Sequence, residues 1–575
     1  MKIEPAALTW NEQGAPYNTR FNDIYFSADG AREVARVFME PAGIDERLRD
    51  SGRMTIAELG FGSGLNFVTL AAAAIKAGCR LHFMSVELHP FRKADLLRTR
   101  ARYTDDAELS ILDELTSDYP ALLPGWHRRL LGNGRITLSI YFGEVSVFAE
   151  ELRSRHLHGV DAWLLDGFAP DRNPDMWDDS LFQAMAASSR TGATVTTFTS
   201  VGRVRRGLES AGFTMRRVDQ RPMKRESLAG AWLGKRDAPA IPECVQVFGG
   251  GIAGCSMAAH LAMQGIGVRL VEPRSALATG ASQMCAVQHA RLLPDGSPLA
   301  DWRVSSHLYS LAFTHGHEGV HSVGALQLPG PNLDTERLER TFACYGDSGD
   351  WLKWCDTDEV TRLAGVFSAN SAAGLLFVGA PVVELDQLCR SLTTHPAIDV
   401  NLDGQLDHTL PTVWACAQGY SEITALQSLP THTLWGQTDR VSMTDPPALA
   451  IIGDGYLAPC RDVVMVGSTF EYSAWEPQLA TTTNVARLLD QPHAWLGRQR
   501  AARLTATDRM PIIGPIGADW ITTAHGSMGA TSAHMAAAVV QSQIMGWLSP
   551  LDAKVIRTID PGRFAARAAR RLRHR

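Results

Sequence analysis

Met54-Thr55-Ile56-Ala57-Glu58-Leu59-Gly60-Phe61-Gly62-Ser63-Gly64-Leu65-Asn66-Phe67 runs an apolar strand directly into three alternating glycines and then into a helix. The helix is predicted over 65–76 and is stopped by Gly78; the next strand, 81–86, ends in Glu87. Strand, glycine loop, helix, strand and terminal acid in that register make a β-α-β nucleotide pocket. The glycines let the backbone turn tightly and approach a ligand, and Glu87 can accept both ribose hydroxyls. Glu58, two places before Gly60, gives the form E-x-G-x-G-x-G. That form points to S-adenosylmethionine (SAM), which has no pyrophosphate to set on the helix N-terminus. The expected SAM-binding residues are Glu58, Gly60, Gly62, Gly64 and Glu87, with Glu144 after the predicted strand 135–142 as a reader of adenine.

Downstream, Leu164-Leu165-Asp166-Gly167-Phe168-Ala169-Pro170 continues through Asn173-Pro174 to Met176-Trp177. A buried strand end, an acid and a turn-forming run place Asp166 where α/β enzymes keep their chemistry. Asp166 is the candidate catalytic residue: it could accept a hydrogen bond from an acceptor amine and orient its lone pair for in-line methyl transfer. Phe168, Pro170 and Trp177 would form a flat wall for an extruded base. Upstream, residues 1–50 hold Tyr17, Tyr25, Phe26 and an amphipathic run over 31–38, which suits a lid or an extra layer. Alternating strands and helices continue to about 233, the pattern of a mostly parallel, doubly wound sheet.

Two prolines and small residues over 237–244 mark a linker, and the pattern then restarts. Strand 245–248 leads into Gly249-Gly250-Gly251-Ile252-Ala253-Gly254, a helix over 255–264, and strand 268–271 ending in Glu272. This is G-x-G-x-x-G in full context, with Gly249, Gly251, Gly254 and Glu272 as adenine-dinucleotide residues. The chain then departs into mixed loops and strands, and that long interruption favours FAD over a nicotinamide cofactor. The domains are thus 1–236 for SAM and 245–575 for FAD.

Composition fits a soluble enzyme: 575 residues, 45% apolar, 20% charged, net charge -6. Nine cysteines lack zinc spacing, so the expectation is reduced thiols, no metal and a cytoplasmic location. No apolar run approaches the roughly 20 residues of a membrane span. Nucleic-acid contact would need local patches: Arg203, Arg205 and Arg206; then Arg216, Arg217, Arg221, Lys224 and Arg225; and the arginine-rich tail from Arg563. The sequence carries no signal for oligomeric state.

Over nearly its whole length the chain resembles the bifunctional tRNA 5-methylaminomethyl-2-thiouridine biosynthesis family. The motifs that carry the resemblance are 58–67, Asp166-Gly167-Phe168-Ala169-Pro170 with its Asn-Pro and Met-Trp pairs, Lys224-Arg225-Glu226, and the loop at 249–254. Later ones are Gly455-Tyr456-Leu457-Ala458-Pro459, Thr507-Asp508-Arg509-Met510-Pro511 and His525-Gly526-Ser527-Met528-Gly529. The resemblance implies a class I methyltransferase domain followed by a FAD-binding, glycine/D-amino acid oxidase-like domain with a mixed α+β substrate part. The flavin half would remove the carboxymethyl group from a modified wobble uridine of tRNA, and the SAM half would methylate the amine left behind. It further implies that Gly526 and Gly529 touch FAD and that Lys224, Arg225, Tyr456 and Arg509 face substrate.

Three places depart from the family pattern. Gln283-Met284 stands where relatives have Gly-Asn, Ala415-Cys416-Ala417 replaces Ala-Asn-Gly, and Met528 replaces an Arg. Losing glycine removes conformational freedom that flavin packing uses. This leaves open a chain in which only the methyltransferase is active and the flavin half is a scaffold or tRNA-binding module. A small-molecule amine oxidase fused to an N-methyltransferase is the third reading.

Overall fold

The computed structural model describes residues 3–573 except 13, 27–29, 156–158, 222–224, 332, 347–349, 369–370, 418, 420–422 and 424–425. Two compact units result, one of residues 1–241 with 542–553, the other of 242–541 with 554–575. The second unit is therefore not the contiguous 245–575 expected from sequence.

In the first unit an eight-stranded sheet runs in the order Phe213–Asp219, Glu226–Trp232, Ser189–Thr197, Val160–Leu165, Arg53–Leu59, Arg80–Glu87, Ile136–Phe142, Gly125–Leu131. The five strands from Ser189–Thr197 to Ile136–Phe142 are mutually parallel, and the antiparallel strands lie at the two edges. Both faces are covered, and residues alternate between them along each strand. Met54 and Ile56 enter one core with Phe67 and Val68, whereas Ala57 and Leu59 enter the other with Trp163 and Phe148. Helix Leu65–Ala77 starts after Gly64 at φ 73° and ends at Gly78 at φ 70°, which donates back to the carbonyls of Ala74 and Ile75.

Residues 542–553 complete this unit through buried polar contacts. Arg128, 1% exposed, donates to Ser542 Oγ at 2.6 Å and to the Leu548 carbonyl at 2.7 Å. Trp547 stacks on His82 with ring centres 4.2 Å apart, and Leu548 joins the core beside Trp126 and Phe148. A guanidinium this deeply buried needs such partners, because an unpaired buried charge is strongly destabilising.

The second unit holds a six-stranded sheet ordered Ile398–Asn401, Gly267–Val271, Cys244–Phe248, Thr412–Trp414, Asp519–Thr523, Ile512–Ile516. All but the last strand are parallel, and helix Ile252–Met263 packs on it with nearly every residue buried. Strands from distant parts of the chain thus close one nucleotide-binding layer. A second, eight-stranded sheet and a three-stranded sheet of Cys285–Val287, Pro381–Glu384 and Val320–Ser322 make up the mixed α+β part. No helix among the described residues is long and apolar enough to cross a membrane.

Candidate active sites

At the carboxyl end of the first sheet a cavity is lined by Gly60, Gly62, Asn66, Glu87, Glu144, Asp166 and Phe168. Gly60, at φ 93°, lets two strand ends close together, since a Cβ there would meet the Asp166 carbonyl at 3.1 Å. Gly62, at φ 51°, leaves room for the Tyr25 ring, which a Cβ would meet at 2.9 Å. Gly64 does not line the cavity; it serves as the N-cap position of the helix.

Glu87 accepts from the Gly62 N–H at 2.8 Å through Oε2 and from the His89 N–H at 2.8 Å through Oε1. Burial pushes its carboxyl above the ordinary range while these main-chain donors pull the other way. Glu58 is placed differently from the sequence expectation: it is fully buried behind the cavity wall and touches Asn66 and Ser85. Desolvation, reinforced by the nearby Asp166 charge, holds its carboxyl well above the usual range. Asn66 Nδ2 donates to both acids, at 2.8 Å to Glu58 Oε1 and 2.7 Å to Asp166 Oδ2. Glu58 therefore acts on the cavity through Asn66.

Of the three residues expected to form a base-stacking wall, only Phe168 lines the cavity. Trp177, 2% exposed, packs edge-on against Phe198 and donates to the Phe168 carbonyl at 2.9 Å. Pro170 is buried, and its carbonyl accepts from Arg203. The aromatic partners of Phe168 come instead from the N-terminal segment: Phe21 stacks on it at 4.7 Å and Tyr25 meets it edge-on at 5.2 Å. The signal for this was the cluster of aromatics before residue 30. Asp23, Glu33, Glu87, Glu144, Asp166 and Asp175 all line the cavity, and no Lys or Arg does so among the described residues. Such a field suits a cationic ligand such as a sulfonium beside an ammonium.

The second unit carries a cavity lined by both signs of charge. Gly249, Gly251, Glu272, Arg274, Ser282, Gly526 and Gly529 line it. Gly249, at φ 116°, faces the Ala415 carbonyl, which a Cβ would meet at 2.8 Å. Gly254 lies off the cavity and serves packing, because a Cβ there would lie 1.7 Å from the Gly249 carbonyl oxygen. The Glu272 carboxylate accepts from the Gly250 N–H at 2.7 Å and pairs with Arg274 at 2.8 Å. Ser282 accepts from the Ile252 N–H at 3.0 Å, at the start of the glycine-loop helix.

The departures at 283 and 417 cost no backbone strain: neither residue is among the non-glycines with positive φ. Among the lining residues left-handed conformations fall on Gly280, Gly526 and the non-glycine Ala524, at φ 62°, 59° and 58°. The glycine-loop cradle is therefore intact, with the main chain open at Gly249 and the Glu272 carboxylate held beside the loop.

An adjoining cavity shares Ile252, Ser282, Arg503, Gly526 and Gly529 with it and adds Cys285, Arg291, Tyr456, Phe470 and Met528. Tyr456 donates to the Cys285 carbonyl at 3.0 Å, and burial pushes its phenol up to about 12. Arg509 is exposed, at φ 63°, and does not line the cavity; the cations that do are Arg291 and Arg503. Arg503 lies 4.9 Å over the Phe470 ring and Arg291 5.9 Å from the same ring. The Arg503 Nε is buried without a hydrogen-bond partner, a donor that an anionic ligand can satisfy.

The basic runs are only partly free for phosphate. Arg205, Arg217 and Arg221 pair with Glu209, Glu226 and Asp219, and Arg563 is buried against Asp508. Arg216 and Arg570 are exposed on elements of the two units, and Arg225 is exposed on a turn. Lys224 lies outside the described residues.

Comparison with known proteins assigns a family to each half of the chain. A model of the S-adenosyl-L-methionine-dependent methyltransferase family matches residues 107–232, and one of the FAD dependent oxidoreductase family matches 245–397. The tRNA 5-methylaminomethyl-2-thiouridine biosynthesis bifunctional protein MnmC of Thiobacillus denitrificans is 31% identical, over 98% of this chain and 98% of that protein. Its counterpart in Methylobacillus flagellatus is 32% identical over 99% of this chain and 97% of that protein. A solved glycine oxidase from Geobacillus kaustophilus covers 56% of this chain and 98% of its own, at 15% identity and a TM-score of 0.48. With a SAM site in one unit and a FAD site in the other, the chain belongs to the family of bifunctional tRNA 5-methylaminomethyl-2-thiouridine biosynthesis proteins.

Proposed function

We propose that this chain converts 5-carboxymethylaminomethyl-2-thiouridine at the tRNA wobble position to the methylaminomethyl form in two steps. The flavin unit removes the carboxymethyl group and leaves a primary amine; the SAM unit methylates that amine. Bound FAD supplies the hydride acceptor and bound SAM the methyl group.

The observation that carries this reading is the difference in charge between the two substrate cavities: two arginines and one acid, Asp454, line the first, and six acids line the second. Arg291 and Arg503 flank Phe470 beside the FAD cradle, which suits a substrate bearing a carboxylate next to a planar ring. The SAM cavity, lined by six acids, suits the amine that remains once that carboxylate is gone. Asp166, held by Asn66, accepts a hydrogen bond from the amine and takes up its proton as the nitrogen becomes substituted. Phe168, backed by Phe21, offers an aromatic face to the base. Contacts to the tRNA backbone fall to exposed arginines such as Arg225 and Arg570, and an enzyme of tRNA works in the cytoplasm.

The test is nucleoside analysis of tRNA carrying the carboxymethylaminomethyl group after incubation with the protein. Without SAM the aminomethyl nucleoside should accumulate; with SAM the methylaminomethyl nucleoside should replace it. Unchanged carboxymethylaminomethyl nucleoside in both reactions would refute the reading.

A further inference from the structure

We propose that Cys460, His321 and Glu384, with Cys285 as the fourth donor, form a tetrahedral site for a divalent metal ion of the zinc class in the flavin unit. A sulfur of Cys460, a ring nitrogen of His321 and a carboxylate oxygen of Glu384 lie within 4.8 Å of one another. The Cys285 thiol neighbours the Cys460 sulfur but lies outside that group of three, so it completes the donor set only by closing in on the ion.

The sheet register explains the convergence. Cys285 stands opposite Glu384, and His321 stands opposite Val382 on the other side of the same central strand. Opposed residues in antiparallel pairs share a face, as do positions two apart on a strand. Cys285, Glu384 and His321 therefore project from one face, and Cys460 ends the strand Tyr456–Cys460 that packs against it.

The donor set is that of a structural zinc site, with two sulfurs, one imidazole and one carboxylate. On such an ion the ligand atoms bond at about 2.0–2.3 Å. The pair His321 Nε2 and Glu384 Oε1, at 3.0 Å, already has the spacing of two ligands on one centre.

An outer ring of contacts fixes the carboxylate. Gln387 Nε2 donates to Glu384 Oε2 at 2.7 Å, and Arg461 Nη2 donates to Gln387 Oε1 at 2.7 Å. Arg461 Nε lies 3.1 Å from Glu384 Oε1, and Arg461 keeps a left-handed backbone, φ 52°, to reach it. Two thiolates and one carboxylate balance a dication plus that guanidinium, so the filled site is neutral. Ligands bound this way would join the strand carrying Cys285, whose carbonyl receives Tyr456, to the opposite sheet. The role is structural: a cross-link beneath the oxidase cavity.

The test uses the full-length, FAD-loaded protein. Metal analysis after desalting should find one zinc per chain, and cobalt(II) added to stripped protein should give intense tetrahedral d–d bands to the red of the flavin absorption. Cys460→Ser and His321→Ala should abolish both signals, whereas Cys344→Ser, at an exposed thiol elsewhere, should leave them intact. Glu384→Gln, which keeps the side-chain size, and Gln387→Leu, in the outer ring, should each weaken cobalt binding at least about tenfold while FAD stays bound. Absence of a tetrahedral signal in the wild-type protein, its survival in Cys460→Ser, or an unweakened cobalt affinity in Glu384→Gln would overturn the proposal and leave the cluster as an ion-pair network around Arg461.

Discussion

Asn66 Nδ2 sits 2.7 Å from Asp166 Oδ2 and 2.8 Å from Glu58 Oε1, so a single amide bridges a cavity-facing acid and a fully buried one. Because that amide can donate twice, it sets the direction of the Asp166 carboxylate without neutralising it.

Asp166→Ala is expected to abolish methyl transfer and leave FAD content unchanged. Asn66→Leu removes both bridging bonds and should lower kcat by roughly 10- to 100-fold, with a stability loss of about 1–3 kcal/mol from the buried Glu58 Oε1 left without a donor while Ser85 still serves Oε2. Single-turnover methylation of aminomethyl tRNA measures the first effect and thermal unfolding the second. Full methylation by Asp166→Ala would remove Asp166 from the mechanism.

Arg503→Met should raise KM for the carboxylated tRNA by about 10- to 100-fold, the loss of a charged hydrogen bond worth roughly 1.5–3 kcal/mol. Arg503→Lys should recover only part of this, because an ammonium cannot reproduce the planar fork. Methylation of aminomethyl tRNA, assayed alongside, should not change. Oxidase kinetics with normal KM in Arg503→Met would show that the carboxylate binds elsewhere.

The flavin unit should lose stability in mild acid. Burial holds His289 and His525 down to about 4 and His307 down to about 3, against an ordinary value of 6.5. The folded state thus binds fewer protons than the unfolded chain between those values, and stability falls as pH drops below 6.5. From pH 7 to 5 the cost is on the order of 1–2 kcal/mol per histidine. Denaturant midpoints measured across this range should fall with pH, and a flat profile would contradict the buried neutral state.

Cutting the chain after 241 should leave the methyl-transfer unit poorly stable, because Arg128 then loses Ser542 and the Leu548 carbonyl. Arg128→Met in the full chain should cost less than the truncation, since it removes the buried charge together with its need for partners. Comparison of melting temperatures for the three proteins decides this. An isolated 1–241 fragment as stable as the unit in the full chain would sink the expectation.

What was legible in the sequence was local. Each glycine loop lies between a strand and a helix within some thirty residues, so Gly60, Gly62, Glu87, Gly249, Gly251 and Glu272 could be placed by spacing alone. Trp177 and Phe168 are equally aromatic and nine residues apart, and only tertiary packing decides that one turns into the core and the other into the cavity. Arg509 sits in a recognisable motif, yet the cavity cations are Arg291 and Arg503, which stand on segments far apart in sequence and meet at Phe470. The cluster of His321, Glu384 and Cys460 escapes any spacing rule, because three strands supply one residue each.

The placement of residues 542–553 in the first unit bears on how this chain is made. Domains generally fold as units during synthesis, N-terminal first. Here the first unit lacks the backbone carbonyl and hydroxyl that Arg128 binds until residues 542–548, which follow the bulk of the flavin unit, have been made. Of the two units the methyl-transfer unit is therefore the first to start folding, and it must tolerate an incomplete core until most of the flavin unit has been built.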